Sequence, residues 1–235
     1  MCGRFALYSP PARIAHYFGA GLGEGTEAEH PSWNVAPTDQ ILGVRDQPQG
    51  DGQPPQRLLL TFRWGLVPWF AKDATAAARM INARSETVTS KASFRQAFAK
   101  RRIIVPADGF YEWDRRHGSG QPSYFTRTDQ TPMAFAALAE RWRNPHLPAD
   151  ALLLRTCTII TTAAGPDMDG IHERTPVLLD PSDFDRWLDP ANEDVEELRS
   201  LLRPLPSGTM VHRRVDGRVG NVRNNDASLL EEASS

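Results

Sequence analysis

Strand-length apolar stretches recur along this chain with loops between them, and little of it carries helical periodicity. That pattern limits the folds open to it. Leu58, Leu60 and Phe62 alternate with Leu59, Thr61 and Arg63, the period of two expected of a β-strand. Residues 41–45, 103–114, 124–127, 133–138, 152–162 and 209–215 read as further strands, bounded by Pro, Gly and polar clusters. The 46–56 stretch reads as a polar surface hairpin loop, and 117–122 as a hairpin turn. Helical signals are short: Ser9-Pro10-Pro11 ahead of Ile14, Ala15, Tyr17 and Phe18; residues 93–98; and two segments within 181–202. No strand-helix-strand alternation runs through the sequence, which argues against a doubly wound parallel sheet. The expected fold is a single α+β domain over residues 1–226, with a twisted, largely antiparallel, barrel-like β-sheet core and short flanking helices. Residues 227–235 are small and polar and are expected to form a disordered tail.

At 235 residues, 40% hydrophobic and 24% charged, the chain has the composition of an ordinary globular protein. No apolar run approaches the roughly 20 residues that cross a bilayer, and no secretory signal opens the chain, so a cytoplasmic location is expected. The two cysteines, Cys2 and Cys157, make a disulfide framework unsuited to this chain, and no clustered Cys/His spacing points to a metal. Cys157 lies in the apolar 152–160 run and reads as core. Net charge is −2 but unevenly spread: Arg79, Arg84, Lys91, Arg95, Lys100, Arg101 and Arg102 face only Glu86 within 79–102. A weaker cluster sets Arg213, Arg214, Arg218 and Arg223 against Asp216 and Asp226. Such local positive charge suits a ligand gripped over a few phosphates, and it also fits a solvated helix face.

Three residues and one aromatic loop carry candidate chemistry. Cys2 becomes the N-terminal residue once Met1 is removed, which joins an α-amine with a pKa of roughly 7.7–8.0 to a thiol near 8.5 on one carbon skeleton. The pattern alone also fits a small residue on a frayed terminus. Glu112 sits between Tyr111 and Trp113, where partial desolvation would raise its pKa toward proton transfer, although strand alternation fits an outward glutamate equally well. His172 lies in a loop of small residues beside Glu173 and Arg174, where an imidazole near neutrality suits acid-base work or simple structural use. Trp64 and Trp69 flank an aromatic loop. They are either core or a stacking platform for single-stranded bases, worth ~1–3 kcal/mol per base.

Taken together, six blocks resemble one family. They are Met1-Cys2-Gly3-Arg4-Phe5, Trp33-Asn34-Val35-Ala36-Pro37, the 63–68 run Arg-Trp-Gly-Leu-Val-Pro, the 81–87 run with Asn82 and Arg84, the 105–113 run ending in Glu112-Trp113, and His172-Glu173-Arg174-Thr175-Pro176. With Gly220-Asn221-Val222-Arg223-Asn224 at the end, they are similar to the SOS response-associated peptidases, SRAP proteins that process abasic sites, from end to end. The resemblance implies that Cys2 forms a covalent thiazolidine cross-link with the aldehyde of a ring-opened abasic site in single-stranded DNA. It assigns Asn82 to hydrogen-bonding the opened sugar or the linkage, Glu112 to proton shuttling, and His172 to ring opening and cross-link reversal. Arg84 and Arg174 would hold flanking phosphates, Arg4 and Asn34 would line the pocket, and Trp69 would support neighbouring bases. The peptidase label implies release of Met1, by self-cleavage or by an aminopeptidase, and the Schiff base makes lyase activity a secondary outcome. The resemblance further implies no cofactor, a monomer, association with the nucleoid and recruitment to replication forks. Thr175 and Phe70 depart from residues common at those family positions.

Two other classes remain open at this level. Class-II glutamine amidotransferases also begin Met-Cys-Gly, yet the glutamine-binding arginine and Asn-Gly loop they need find no place in this sequence. A non-catalytic single-strand-binding module would need only the basic segment and the tryptophans.

Overall fold

The computed structural model describes residues 2–50, 52–114, 120–148 and 150–233. The chain opens with β1 (Phe5–Leu7), α1 (Pro11–Tyr17) and a two-residue β2 (Gly21–Leu22), then β3 (Ser32–Val35) and the hairpin of β4 (Gln40–Gln47) with β5 (Gln56–Trp64). A short β6 (Asn82–Arg84) and α2 (Arg95–Lys100) lead into β7 (Arg102–Ala107), β8 (Gly109–Asp114), β9 (Gln121–Arg127), β10 (Met133–Trp142) and β11 (Leu154–Ala163). Then follow β12 (Arg174–Pro176), α3 (Phe184–Leu188), α4 (Val195–Ser200) and β13 (Met210–Arg214). Among the described residues, no helix is long and apolar enough to cross a membrane.

Two sheets form, in accord with the expected α+β class. The smaller is antiparallel throughout, in the order β13-β9-β8-β1-β3. In the larger, β11, β10, β7, β4 and β5 follow one another, and β11 then pairs in parallel with β5 to close a ring. Residues paired directly across strands share a face. One such face, carrying Leu60, Phe62, Ile103, Ala137, Cys157 and Ile159, fills the ring, and each of these is at most 5% exposed. The filling is tight: a Cβ at Gly43 would stand 2.8 Å from the Phe62 ring. Cys157 is core, as expected, and burial holds its thiol well above the usual range.

The smaller sheet packs a second cluster of Ala6, Tyr111, Tyr124, Val215, Val219 and Leu229. It is pinned to the first turn by Asp108, whose carboxylate accepts from the Tyr8 and Ser9 amides, both at 2.7 Å, and from the Ser9 hydroxyl at 2.6 Å. Ser9 therefore serves Asp108, and α1 has no side-chain cap. Gly65, in the Arg-Trp-Gly-Leu-Val-Pro block, has φ +123° and lies so near Ala77 that a Cβ would meet its carbonyl oxygen at 2.6 Å.

One expectation is corrected, and one open alternative is decided. Residues 227–233 are packed rather than disordered: Ala227–Leu230 forms a 3-10 turn with Leu229 fully buried, and Glu232 bridges to Val215. The remaining tail residues, 234–235, and turn residues 117–119 lie outside the described residues. The basic segment is no continuous cationic face. Lys100 pairs with Glu193, Arg101 with Glu140, and Arg102 is 3% exposed with its guanidinium donating to the carbonyls of Phe98, Ala99, Trp187, Asp189 and Asn192. One side chain thus ties α2 to the end of α3, which a run of basic letters does not reveal.

Replacing Arg102 leaves those carbonyls without their donor inside a water-poor site. Arg102→Leu should cost about 3–5 kcal/mol, a fall in Tm of roughly 6–15 °C for a chain of this size. Thermal unfolding followed by circular dichroism checks this; an unchanged Tm would show that Arg102 is only a surface cation.

Candidate functional site

Cys2 lies just before β1, where the chain runs between the two sheets, and it is fully buried. Its carbonyl accepts from the Asn82 carboxamide nitrogen at 2.7 Å. Asn82 reaches it because β6 pairs in parallel with β11, setting Asn82 opposite Ile159. Its Oδ1 is buried and has no hydrogen-bond partner among the described residues, so one acceptor of the carboxamide remains open beside Cys2. Glu112 comes from the smaller sheet. β8 runs antiparallel to β1 with Phe110 opposite Phe5, and the Tyr111 amide donates to the Arg4 carbonyl at 2.9 Å, so the same register sets Glu112 opposite Gly3. Glu112 is 4% exposed, which decides between the two readings of the strand pattern in favour of the inward one.

Burial, and after it the Glu112 carboxylate, pushes the Cys2 thiol up to about 12, against a weaker opposing pull from the Arg4 amide. The thiol is consequently protonated at neutral pH, and a carboxylate stands near enough to influence that proton.

The C-terminal half of β11 gathers a second set. Arg84 lies opposite Thr161, and Arg174, on β12, lies opposite Ala163. Arg84 is exposed, whereas Arg174 forms an ion pair with Glu86 and donates to the Thr161 carbonyl at 2.6 Å. The Arg174 amide donates to Nδ1 of His172 at 2.9 Å, which leaves the neutral imidazole protonated on Nε2. His172 and Glu173 border a cleft of about 890 Å³ with Ala164, Gly165 and Asp169.

Arg4 and Asn34 stand differently from their expected roles. Asn34 is 3% exposed; its Oδ1 accepts from Arg4 at 2.8 Å, and its amide nitrogen donates to the carbonyls of Val219, Asn221 and Asn224 at 3.2, 3.1 and 2.7 Å. Arg4 also donates to the Val219 carbonyl at 2.7 Å. The pair therefore clamps the 219–224 segment against the start of β1, and this explains why the Trp33-Asn34 and Gly220-Asn221 blocks belong together. Trp64 is fully buried, while Trp69 is 60% exposed and meets Phe70 edge-on at 5.6 Å. Their loop is anchored by Trp142, whose Nε1 donates to the Ala71 carbonyl at 2.8 Å. Asp108 is visible in the Pro-Ala-Asp-Gly block, whereas Glu86 is only the lone acid of the basic run in the sequence, and its pairing with Arg174 appears only in the fold.

Both cysteines are buried with raised pKa values, so native protein at pH 8 should alkylate at least ~100-fold more slowly than free cysteine, and both thiols should react at ordinary rates after unfolding. Mass spectrometry of iodoacetamide-treated samples checks this; rapid native labelling at Cys2 would contradict the burial.

The SOS response associated peptidase (SRAP) family profile matches residues 1–222. The chain is 40% identical to the abasic site processing protein YoqW of Bacillus subtilis (strain 168), over 98% of its own length and 99% of the relative's. It is 32% identical to the abasic site processing protein HMCES of Gallus gallus, over 98% of this chain and 77% of that one. Among solved structures, a Bordetella bronchiseptica protein at 29% identity matches 92% of this chain and all of its own, with TM-score 0.74. A Bacteroides thetaiotaomicron protein at 24% identity shares the fold over 99% of the chain, with TM-score 0.86. The end-to-end match and the order of the motif blocks place this chain in the SOS response associated peptidase family.

Proposed function

We propose that this protein processes abasic sites in DNA by forming a covalent cross-link through Cys2. The observation that carries the reading is the arrangement at Cys2: a fully buried residue with its carbonyl held by Asn82 and a buried Glu112 carboxylate beside its thiol. The names of the relatives, abasic site processing proteins, give the substrate class.

The protonation states suggest an order of events. The Cys2 amine, freed by removal of Met1, is the group that can be neutral near pH 7, whereas the buried thiol holds its proton. The amine attacks the aldehyde carbon of the ring-opened sugar, and the adduct loses water to give an imine. The sulfur then adds to that carbon while the thiol proton passes to the imine nitrogen, with Glu112 as the relay. One water leaves overall, and no oxidant is involved. Asn82, with its open acceptor, orients the opened sugar. His172 exchanges protons with the sugar oxygen during ring opening and during reversal. Arg84 grips a flanking phosphate directly, and Arg174 does so by exchanging Glu86 for it. Trp69 offers an exposed ring to a neighbouring base. Release of Met1 is the peptidase event in this scheme, and β-elimination from the imine is a secondary lyase outcome.

Single-stranded DNA carrying one abasic site, mixed with the purified protein, should give an adduct that survives denaturant and gel electrophoresis. Cys2→Ala should give none, and an N-terminal tag that retains Met1 should abolish it. An adduct of equal stability from Cys2→Ala, or glutamine hydrolysis by the wild type in place of an adduct, would overturn the reading. Glu112→Gln should slow adduct formation roughly 100-fold, while His172→Gln should change reversal about tenfold and leave DNA binding within about threefold.

A further inference from the structure

The inward face of the ring changes character at one end. Position by position, the face that holds Ile103, Ala137, Cys157 and Ile159 continues outward to Arg101, Arg141 and Arg155, while Gly43 continues to Arg45. Four strands or their immediate leads thus send a guanidinium to the same mouth. Arg141 and Arg155 are direct cross-strand partners, an arrangement in which like charges repel. Arg45 is close enough to the other three that, after burial, they lower its pKa to about 10. The compensating charge is small: Glu140, 4% exposed, takes Arg101 at 2.8 Å. Among the described residues, Arg45, Arg141 and Arg155 have neither a hydrogen bond nor an ion pair from their side chains, and Arg101 Nε is buried without a partner.

Four guanidiniums against one carboxylate is a costly arrangement in a chain whose net charge is −2, unless an anion completes it. We propose that this mouth is a binding site for a phosphate-class anion, with Arg45, Arg101, Arg141 and Arg155 as its donors. Guanidiniums suit that ligand because each offers paired N–H groups to two phosphate oxygens. The site is separate from the Cys2 chemistry. Arg155 and Ile159, the residue opposite Asn82, lie four positions apart on β11, about 13 Å at ~3.3 Å per residue, and Phe5 closes the other end of the ring by packing on Trp64 and Phe135. A nucleic-acid phosphodiester and a free phosphate offer these donors the same oxygens, and the two arms of the test separate them.

The test compares wild type with Arg45→Gln/Arg155→Gln. In low-salt buffer at pH 7.5, inorganic phosphate should raise the wild-type Tm by about 2–4 °C beyond chloride of equal ionic strength, and the double variant should lose that increment. In chloride the variant should be at least as stable as wild type, because its repulsion is relieved. If the double variant does not fold, Arg141→Gln, an exposed position, should remove about half of the increment. A second arm measures the affinity of lesion-free single strands of about 6 and about 30 nucleotides, where loss of two phosphate contacts should weaken binding of the longer strand at least about fivefold and flatten its salt slope. Loss confined to the longer strand identifies nucleic acid as the source of the phosphate; loss of the phosphate increment with DNA affinity unchanged identifies a free phosphate ligand. No phosphate-specific increment in wild type, or an equal one in the variants, overturns the proposal.

Discussion

The parallel pairing of β11 with β5, Thr156 opposite Arg63 and Cys157 opposite Trp64, is the constraint on which the rest of the molecule depends. It closes the ring, and closure gives the larger sheet an inside as well as two faces. The same strand pairs with β10, β12 and β6, so one ten-residue element sets the positions of Asn82, Arg84 and Arg174. Parallel pairing needs a long crossover, here residues 65–153, and its first part is held by Gly65 donating to the Cys157 carbonyl and by Trp64 Nε1 donating to the Ile81 carbonyl, each at 2.9 Å.

The candidate site lies where this ring meets the second sheet. Asn82 comes from the first and Glu112 from the second, and Cys2 stands just before β1, the smaller-sheet strand that pairs with β8. Its burial has two consequences. Desolvation keeps the thiol protonated, which favours chemistry initiated at the amine over chemistry initiated at sulfur. Burial also limits water at the carbon where the proposed imine would form. The N-terminus is held by more than its own strand: Asp108 fastens the segment after β1, and the Arg4–Asn34 clamp joins residues 219–224 to it. A terminal residue with such support is a different object from a frayed end.

The two mouths of the ring differ in kind. One is filled by Phe5 against Trp64 and Phe135, with centroids at 5.2 and 6.0 Å, and the other is fringed by arginines. Period-two alternation places both sets on one face. Apolar residues satisfy that face over its length, and where the strands emerge the same face must meet solvent or a ligand.

Much was legible in the letters. Alternating apolar residues identified the long strands of both sheets, because period two is a property of the backbone and survives any tertiary context. The motif blocks identified the family and the residues worth watching. The sequence could not tell that Arg102 is buried while Arg84 is exposed, since both are basic letters in one run and only packing decides which carbonyls surround a guanidinium. Nor could it separate Trp64 from Trp69, or show that Asn34 serves a clamp. Leu229 was read as part of a loose polar tail because its partners, Val215 and Val219 among them, are assembled by the fold. By itself the sequence determined which backbone segments can be strands and which side chains carry reactive groups, both local properties. The tertiary structure alone decided which groups meet, because contacts such as Cys2 with Asn82, or Arg141 with Arg155 across two strands, join residues apart in the chain.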